Sequence, residues 1–249
     1  MFNLFNKEKV LFISPHQDDE LLSLGVNAAN YIEKKGNKNV YVLLITNGAK
    51  SNVRKTLHNQ KSCKLHNGIH NYDLSRDEFI KARDREFTDS CLNIGYRKEN
   101  ICFPKARFED NEVGSNVYTF IKGFVTKNKI TQVNTITGFG SSDQHLDHKN
   151  IGLACFRLYK EGIIKNLEFF VEPYCYIKFR EEYPDIPVTK EICSSDNVLL
   201  NIQKAVEAYS LWDPDKCRYC IGRHSVSKSF TDFLQDVASY HYNAKENLK

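Results

Sequence analysis

The stretch VLFISPHQDDE, residues 10–20, decides how this chain is read. Its first half, Val10 to Ser14, is a short continuous apolar run, the pattern of a strand buried on both faces. Its second half reverses that character. After Pro15 come His16, Gln17, Asp18, Asp19 and Glu20, a histidine and three adjacent carboxylates at the point where the strand gives way. Acids in the first turn of a helix are favoured by its dipole, which accounts for one or two of them. The dipole does not account for His16, and like charges this close repel unless something positive holds them.

Outward from this stretch the pattern alternates. Leu21, Leu22, Leu24, Val26, Ala28, Ala29, Tyr31 and Ile32 form an apolar-rich segment of helical length that ends near Lys35 and Gly36. Val40 to Thr46 (VYVLLIT) is a second buried strand, stopped by the turn signal Asn47-Gly48. Strand, helix, strand predicts a parallel α/β unit with a right-handed crossover. Residues 49–75 are polar, hold His58, His66 and His70, and read as a long lid or binding loop. A helix follows over Asp77 to Asn93, with Ile80, Phe87, Cys91 and Ile94 on one face. A strand is expected near residues 100–103, a helix over Val117 to Lys127, and a strand over Val133 to Thr137 that ends in Gly138-Phe139-Gly140. Ile151, Ala154, Cys155 and Leu158 mark another helix, Leu167 to Ile177 is strand-rich, and Val198 to Leu211 and Phe230 to Tyr240 read as helices. No internal repeat or low-complexity tract interrupts the order, and the Pro-bearing segment 181–190 is the weakest joint. The expected fold is α/β, a Rossmann-like three-layer αβα arrangement with a mostly parallel sheet. Residues 1–210 would form this domain, and residues 211–249 a small C-terminal helical extension packed on it.

Composition narrows the function classes. The 249 residues are 41% hydrophobic, enough for a sizeable core, and 35 basic against 31 acidic residues leave a net charge of only +4. No Lys/Arg block offers a surface for nucleic acid. The opening residues lack the pattern of a signal peptide, and no apolar run reaches the roughly 18 residues of a membrane span. Eight cysteines without a secretion signal point to reduced thiols and a cytoplasmic location.

A second cluster, Asp143-Gln144-His145-Leu146-Asp147-His148, also follows a strand and precedes a helix. Parallel α/β sheets bind ligands beyond the carboxyl ends of their strands, so the two clusters could converge there. A divalent metal fits that chemistry. A catalytic zinc takes three N/O ligands and keeps an open position for water. His16, Asp19 and His148 would supply such a set, and Asp18 would be left close by to take a proton from the water. Zn2+ is the expected ion, and Fe2+ or Co2+ accept the same ligands.

At these residues the sequence resembles a family. SPHQDDE looks like the AHPDDE motif of the LmbE/PIG-L zinc deacetylases, and HLDH (145–148) looks like their HPDH motif. Thr46-Asn47-Gly48 is similar to the family's T-x-G. Arg83 to Glu86 with Leu92 to Gly95 is similar to its R-x-x-E-A and L-G pattern, and Lys204-Ala205 to Tyr209-Ser210 faintly resembles its late helix. The resemblance spans about residues 8–160 and continues more faintly to about 210. Gln17 and Leu146 replace prolines of the motifs and Phe87 replaces an alanine, but neither Gln17 nor Leu146 would be a ligand.

The resemblance implies that His16, Asp19 and His148 hold zinc, that Asp18 is the general base, and that His145 polarises the scissile carbonyl and protonates the leaving amine. Asp147 would orient His145. The implied reaction removes an N-acetyl group from an amino sugar or glycoside of the N-acetylglucosamine type. The competing readings are an amidase for a larger N-acyl amine conjugate and a catalytically inactive zinc-holding glycan-binding protein. A receiver domain fails because VYVLLIT is not followed by an aspartate, and a Rossmann dehydrogenase fails because no G-x-G-x-x-G follows a strand.

Arg83 falls on the apolar stripe of its helix, where an inward guanidinium needs an anion. It is read as contacting substrate hydroxyls or phosphate, against a buried ion pair with Glu86. Asp110 is read as a candidate for sugar hydroxyls, against a solvated loop acid. Glu20 is read as capping the helix or bonding nearby backbone. Cys217 and Cys220, with His224 close by, lack the second Cys pair of a common structural zinc site and read as reduced thiols. His58, His66 and His70 read as surface residues of a polar loop. The expected partner is a small N-acetylated molecule, with no nucleic acid and no membrane span, and a homo-oligomer is compatible with the pattern.

Overall fold

The computed structural model describes residues 8–248. Residues 1–7, part of the segment read for a signal peptide, lie outside the described residues. β1 (Val10–Ser14) is buried along its whole length and is followed by α1 (Asp19–Leu22), α2 (Gly25–Lys35) and β2 (Val40–Leu44). Then come α3 (Val53–Leu57), α4 (Arg76–Ile94), β3 (Ile101–Cys102), α5 (Val117–Asn128), β4 (Gln132–Ile136), α6 (Leu146–Lys160) and β5 (Asn166–Val171). The chain continues through α7 (Tyr176–Glu182), β6 (Thr189–Ile192), α8 (Asp196–Ser210), β7 (Trp212–Asp213), β8 (Arg218–Tyr219), α9 (Ile221–Ser225), α10 (Ser227–Gln235) and β9 (Ala238–Asn243).

The main sheet has the order β3-β2-β1-β4-β5-β9-β6. Its first five strands are parallel, and β9 runs antiparallel to both β5 and β6. Period-two alternation sends the apolar residues of the inner strands to both faces. Leu11, Ile13, Leu43 and Ile45 pack with Val117, Ile121, Ile151 and Leu158 of α5 and α6. Val10, Phe12, Val42 and Leu44 pack with Val26, Phe87, Ile202 and Phe230 of α2, α4, α8 and α10. Each fully buried Leu, Val or Phe on these faces stabilises the fold by roughly 1.5–3 kcal/mol. Two helical layers on a mostly parallel sheet are the three-layer αβα fold expected from the sequence.

α4 begins at a capping box, in which the Ser75 hydroxyl accepts from the Glu78 N–H and the Glu78 carboxylate accepts from the Ser75 N–H. It ends at Gly95 with φ 115°. Residues 49–75 form α3 and a turn closed by a bridge between Ser62 and Ile69. They do not hang free. Val53 and Leu57 pack with Phe79 and Ala82 of α4 and with Tyr219 and Ile221, making a third small core.

The C-terminal expectation needs correction. Residues 211–248 are not a helical extension, because β9 lies inside the main sheet between β5 and β6. α10 stops at Gln235, and the residues read as its continuation alternate instead. Tyr240 and Tyr242 join the apolar core, while the Ser239 hydroxyl donates to the Ser23 carbonyl (2.7 Å) and His241 meets Glu168 and Glu191. Aromatic residues spaced by two suit a strand. The strand read over residues 167–177 is likewise shorter, since β5 ends at Val171 and the chain turns at Pro173 into α7. No described helix is long and apolar enough to cross a membrane.

Candidate active site

From β1 the chain crosses to β2 on one side, while β4 leads to β5 on the other. The carboxyl ends of β1 and β4 therefore flank a topological switch point, where such sheets hold their ligands. The first His/Asp cluster leaves β1 and the second leaves β4. Two glycines let α6 approach. A Cβ on Gly152 would stand 2.3 Å from the Gly138 nitrogen, so only a pair of bare backbones brings α6, and His148 with it, this close to the end of β4.

Asp18 adopts φ 112°, a conformation that costs a non-glycine residue of order 1–3 kcal/mol. Its backbone is held there. The Asp18 N–H donates to Glu20 Oε2 (2.9 Å), and the Tyr209 hydroxyl donates to Glu20 Oε1 (2.7 Å). Glu20 thus bonds nearby backbone, as expected, and burial pushes its carboxyl up to about 8.

Three side-chain atoms converge at the crevice. His16 Nδ1 lies 3.1 Å from His148 Nε2 and 3.2 Å from Asp19 Oδ2, and His148 Nε2 lies 3.3 Å from Asp19 Oδ2. The outer nitrogens are already engaged. His16 Nε2 is 3.0 Å from Asp147 Oδ2, and His148 Nδ1 is 2.6 Å from Asp143 Oδ2. With the outer N–H of each ring donated to a carboxylate, both inner nitrogens present lone pairs to each other and to Asp19. With both rings neutral, that donor set fits a divalent cation. Ligand atoms about 2.1 Å from a tetrahedral zinc stand about 3.4 Å apart, close to the spacing found here.

The same carboxylates draw positive charge onto the rings. Burial opposes charge on His16 and His148, yet the carboxylates outweigh it and lift His16 to about 9 and His148 well above the ordinary range. Burial also opposes charge on Asp19, but His148 and His16 outweigh it and hold the carboxyl well below its ordinary value. Asp18 goes the other way: burial first, and the Asp19 charge next, push it up to about 7.

Asp147 does not do what the sequence suggested. Its carboxylate bonds His16 and accepts the backbone N–H of Asn111 (2.7 Å) and Val113 (3.1 Å), while His145 Nδ1 is 3.9 Å away. His145 is instead the N-cap of α6, its Nδ1 accepting the Asp147 N–H (3.3 Å). The neutral ring therefore carries its proton on Nε2. Burial, with His16 and His148, lowers its basicity.

Arg83 is buried and reaches Asp18 rather than Glu86. Its Nη2 donates to the Gln17 carbonyl (2.8 Å) and stands 3.6 Å from Asp18 Oδ2. Glu86 accepts the N–H groups of Ile221 (2.7 Å) and Gly222 (3.0 Å). Gly48, at φ 72°, lies under the guanidinium, where a Cβ would come within 2.6 Å of Gln17 Oε1 and 2.9 Å of Arg83 Cδ. Asp110 is buried and accepts the Gly48 N–H (3.0 Å), which removes the solvated-acid reading.

Two site residues escaped the sequence reading. Asp143 stood in the quoted cluster without a role. Glu172, buried at the end of β5, has a carboxylate oxygen grouped with a carboxylate oxygen of Asp19 and a ring nitrogen of His148 within 4.8 Å. Its signal was the first acid after the next parallel strand. The cleft over these residues holds about 430 Å³ and is also lined by Lys50, Ser51, Asn52, Tyr174 and Ser229.

The sequence matches the family described as PIG-L, GlcNAc-PI de-N-acetylase, over residues 11–159. Among solved structures it is similar to a triple mutant of the deacetylase of the teicoplanin biosynthetic pathway, at 18% identity and TM-score 0.65, over 94% of this chain and 97% of that one. It is similar to the A40926 pseudoaglycone deacetylase Dbv21 at 19% identity and TM-score 0.57, over 96% of both chains. It is also similar to N,N'-diacetylchitobiose deacetylase from Pyrococcus horikoshii at 16% identity and TM-score 0.56, over 84% of this chain and 72% of that one. At such identities the likeness is one of fold. A comparison with curated proteins finds no match. The family match rests on more than half of the sequence and takes in both clusters, so the chain belongs to the PIG-L family of de-N-acetylases and is a hydrolase of amide C–N bonds.

Proposed function

We propose that this enzyme is a zinc-dependent N-deacetylase that frees the amine of an N-acetylated amino sugar or its glycoside. The observation that carries the reading is the meeting of two imidazole nitrogens and one carboxylate oxygen within 3.1–3.3 Å. His16, Asp19 and His148 would hold the ion, and when bound it would lower the pKa of water and polarise the amide carbonyl. Asp18 takes the proton of the attacking water, and a carboxyl poised near neutrality suits a general base. His145 donates its Nε2 proton toward the carbonyl oxygen as negative charge develops, and a proton passes to the departing nitrogen. Water and amide are consumed, and acetate and a free amine are released. Asp147 and Asp143 hold the two ligand rings, and Arg83 holds Asp18 from behind. Arg83 and Asp110 border the cleft and are assigned to sugar hydroxyls. The polar lining of Lys50, Ser51, Asn52 and Ser229 supports a hydroxyl-rich substrate. The family description, and the N,N'-diacetylchitobiose deacetylase among similar structures, support the same class.

The test offers zinc-loaded protein N-acetylglucosamine, N,N'-diacetylchitobiose and an N-acetylglucosaminyl glycoside, and measures acetate. Acetate release that stops with chelator, returns with zinc and is absent in His148→Ala is the expected result. A protein that holds zinc at these ligands but releases no acetate from any of the three would overturn the reading and favour a larger acyl group or simple glycan binding.

A further inference from the structure

The second group of metal-ligand side chains lies outside the switch point. Cys63, His66, His70 and His224 bring one ligand atom each within 4.8 Å of one another. The first three stand on a tight turn, where the Cys63 N–H donates to the Gly68 carbonyl (2.9 Å) and the His70 N–H to the Lys61 carbonyl (2.9 Å). Their spacing, Cys-x2-His-x3-His, falls within the spacings of structural zinc sites. His224 comes from α9, 161 residues from Cys63.

Hydrogen bonding alone leaves one contact of this cluster without a proton. His70 Nδ1 donates to the Thr56 carbonyl (3.1 Å), and His224 Nδ1 donates to the Cys220 carbonyl (2.6 Å). Both Nε2 atoms are therefore lone pairs, and they face each other at 3.1 Å. The Cys63 sulfur, 3.3 Å from His224 Nε2, and His66 Nε2, 3.0 Å from His70 Nε2, complete the ring of donors. A thiol proton and a His66 proton could satisfy one contact each, but neither lies between His70 and His224. The Leu65 N–H also points at the sulfur (3.4 Å).

We propose that Cys63, His66, His70 and His224 form a second zinc site, structural in character, that clamps the turn at residues 60–70 to α9. Four protein ligands including a thiolate make a closed zinc site without a position for water. His66 joins when its proton moves to Nδ1 and its Gly68 N–H bond (3.1 Å) is released, while its ring stays stacked on Trp212 at 3.4 Å and 6°. The clamp acts on the cleft. Val53 and Thr56 of α3 and the residues Ser225, Val226 and Ser229 that follow His224 line one wall of it. Cys217 has no part, and Cys220 contributes its carbonyl rather than its sulfur.

The experiment counts metal in the full chain after stripping, reloading with zinc and desalting. The expected result is about two zinc ions per chain, and about one in each of Cys63→Ser and His148→Ala, as for one ion per site. Loaded with cobalt, the native chain and His148→Ala should show a thiolate-to-metal charge-transfer band that Cys63→Ser lacks. The switch-point ligands contain no sulfur, so the band reports this site alone. Zinc should also protect Cys63 from alkylation, read by peptide mass spectrometry. If Cys63→Ser does not fold, the native count, the band and the protection decide the matter. A native chain that never exceeds one zinc, loses it in His148→Ala and gives no charge-transfer band with cobalt would overturn the proposal.

Discussion

The two histidine clusters differ in what stands behind their rings. At the switch point the outer nitrogens of His16 and His148 meet the carboxylates of Asp147 and Asp143. In the turn cluster the outer nitrogens of His70 and His224 meet backbone carbonyls of Thr56 and Cys220. A carboxylate makes its ring a stronger base and brings net negative charge, whereas a carbonyl fixes the tautomer and leaves the ring neutral. The first cluster also leaves Asp18 spare and opens to the cleft. The second spends all its donors on one another. On the two proposals the same residue type would serve reaction in one place and fastening in the other, and its partners would decide which.

The largest expected effect separates the spare acid from the ligands. Asp18→Asn should lower kcat by roughly 10²–10⁴-fold, the range for loss of a general base, while metal content stays unchanged at both clusters. Acetate release with parallel elemental analysis checks this, and full activity would refute the base assignment. Asp143→Asn should weaken metal at the switch point by about 10–100-fold, and leave the cobalt–thiolate band of the turn cluster unchanged. Chelator competition measures the loss, and an equal loss at both clusters would erase the contrast.

A smaller effect concerns pH. As the proposed general base Asp18 would work deprotonated, so the rate should rise with pH. Burial sets its carboxyl at about 7 and a nearby cation lowers it, so the acid limb should lie at or below that value. The Arg83 charge also lowers it, so Arg83→Gln should move the limb to higher pH. A rate that falls as pH rises through this range would contradict the assignment.

The smallest effect is a control on the comparison. His241 lies 3.2 Å from Glu191 and 3.5 Å from Glu168, a ring flanked by carboxylates and stacked on Phe170, with no second imidazole opposite among the described residues. Such a site takes a proton rather than a metal. Burial opposes its charge, but Glu168 and Glu191 outweigh it and lift the ring to about 9. With the folded value raised from 6.5, the stabilisation is fully present below about 6.5 and is lost as pH rises toward 9. Denaturation of His241→Gln across that window should lack this slope, at most about 1.4 kcal/mol per pH unit in the native chain. An unchanged slope would assign it to another group.

Much of the reactive site was legible because it is local. VLFIS announces a doubly buried strand, and HQDDE and HLDH place unlike polar residues where strands end. The partners of the rings were less legible, because they depend on how α6 is seated. Asp147 lies beside His145 in sequence yet bonds His16 across the crevice. Glu172 was a single acid after a strand and carried no pattern. The turn cluster was read as surface residues, but His70 is buried and His66 half-buried, while His58 is exposed as expected. Its signal was split: Cys63, His66 and His70 fit a ligand spacing, but the fourth member stood beside Cys217 and Cys220, which drew attention to the wrong sulfurs. β9 was missed because a six-residue alternation directly after a helix reads as its continuation.

The seating of β9 between β5 and β6 also dictates an order of assembly. The five parallel strands can pair with one another as they appear, but β5 keeps an unpaired edge of Leu167, Phe169 and Phe170 until β9 arrives from a distant part of the sequence. Among the described residues β6 pairs in the sheet only with β9 and must wait for it as well. Late pairing across a long loop is slow, and an open apolar edge is a template for wrong partners. The reactive crevice between β1 and β4 can therefore take shape early. The hazard of aggregation during folding is concentrated at the opposite end of the sheet, so substitutions in β9 should change the yield of folded chain before they change its chemistry.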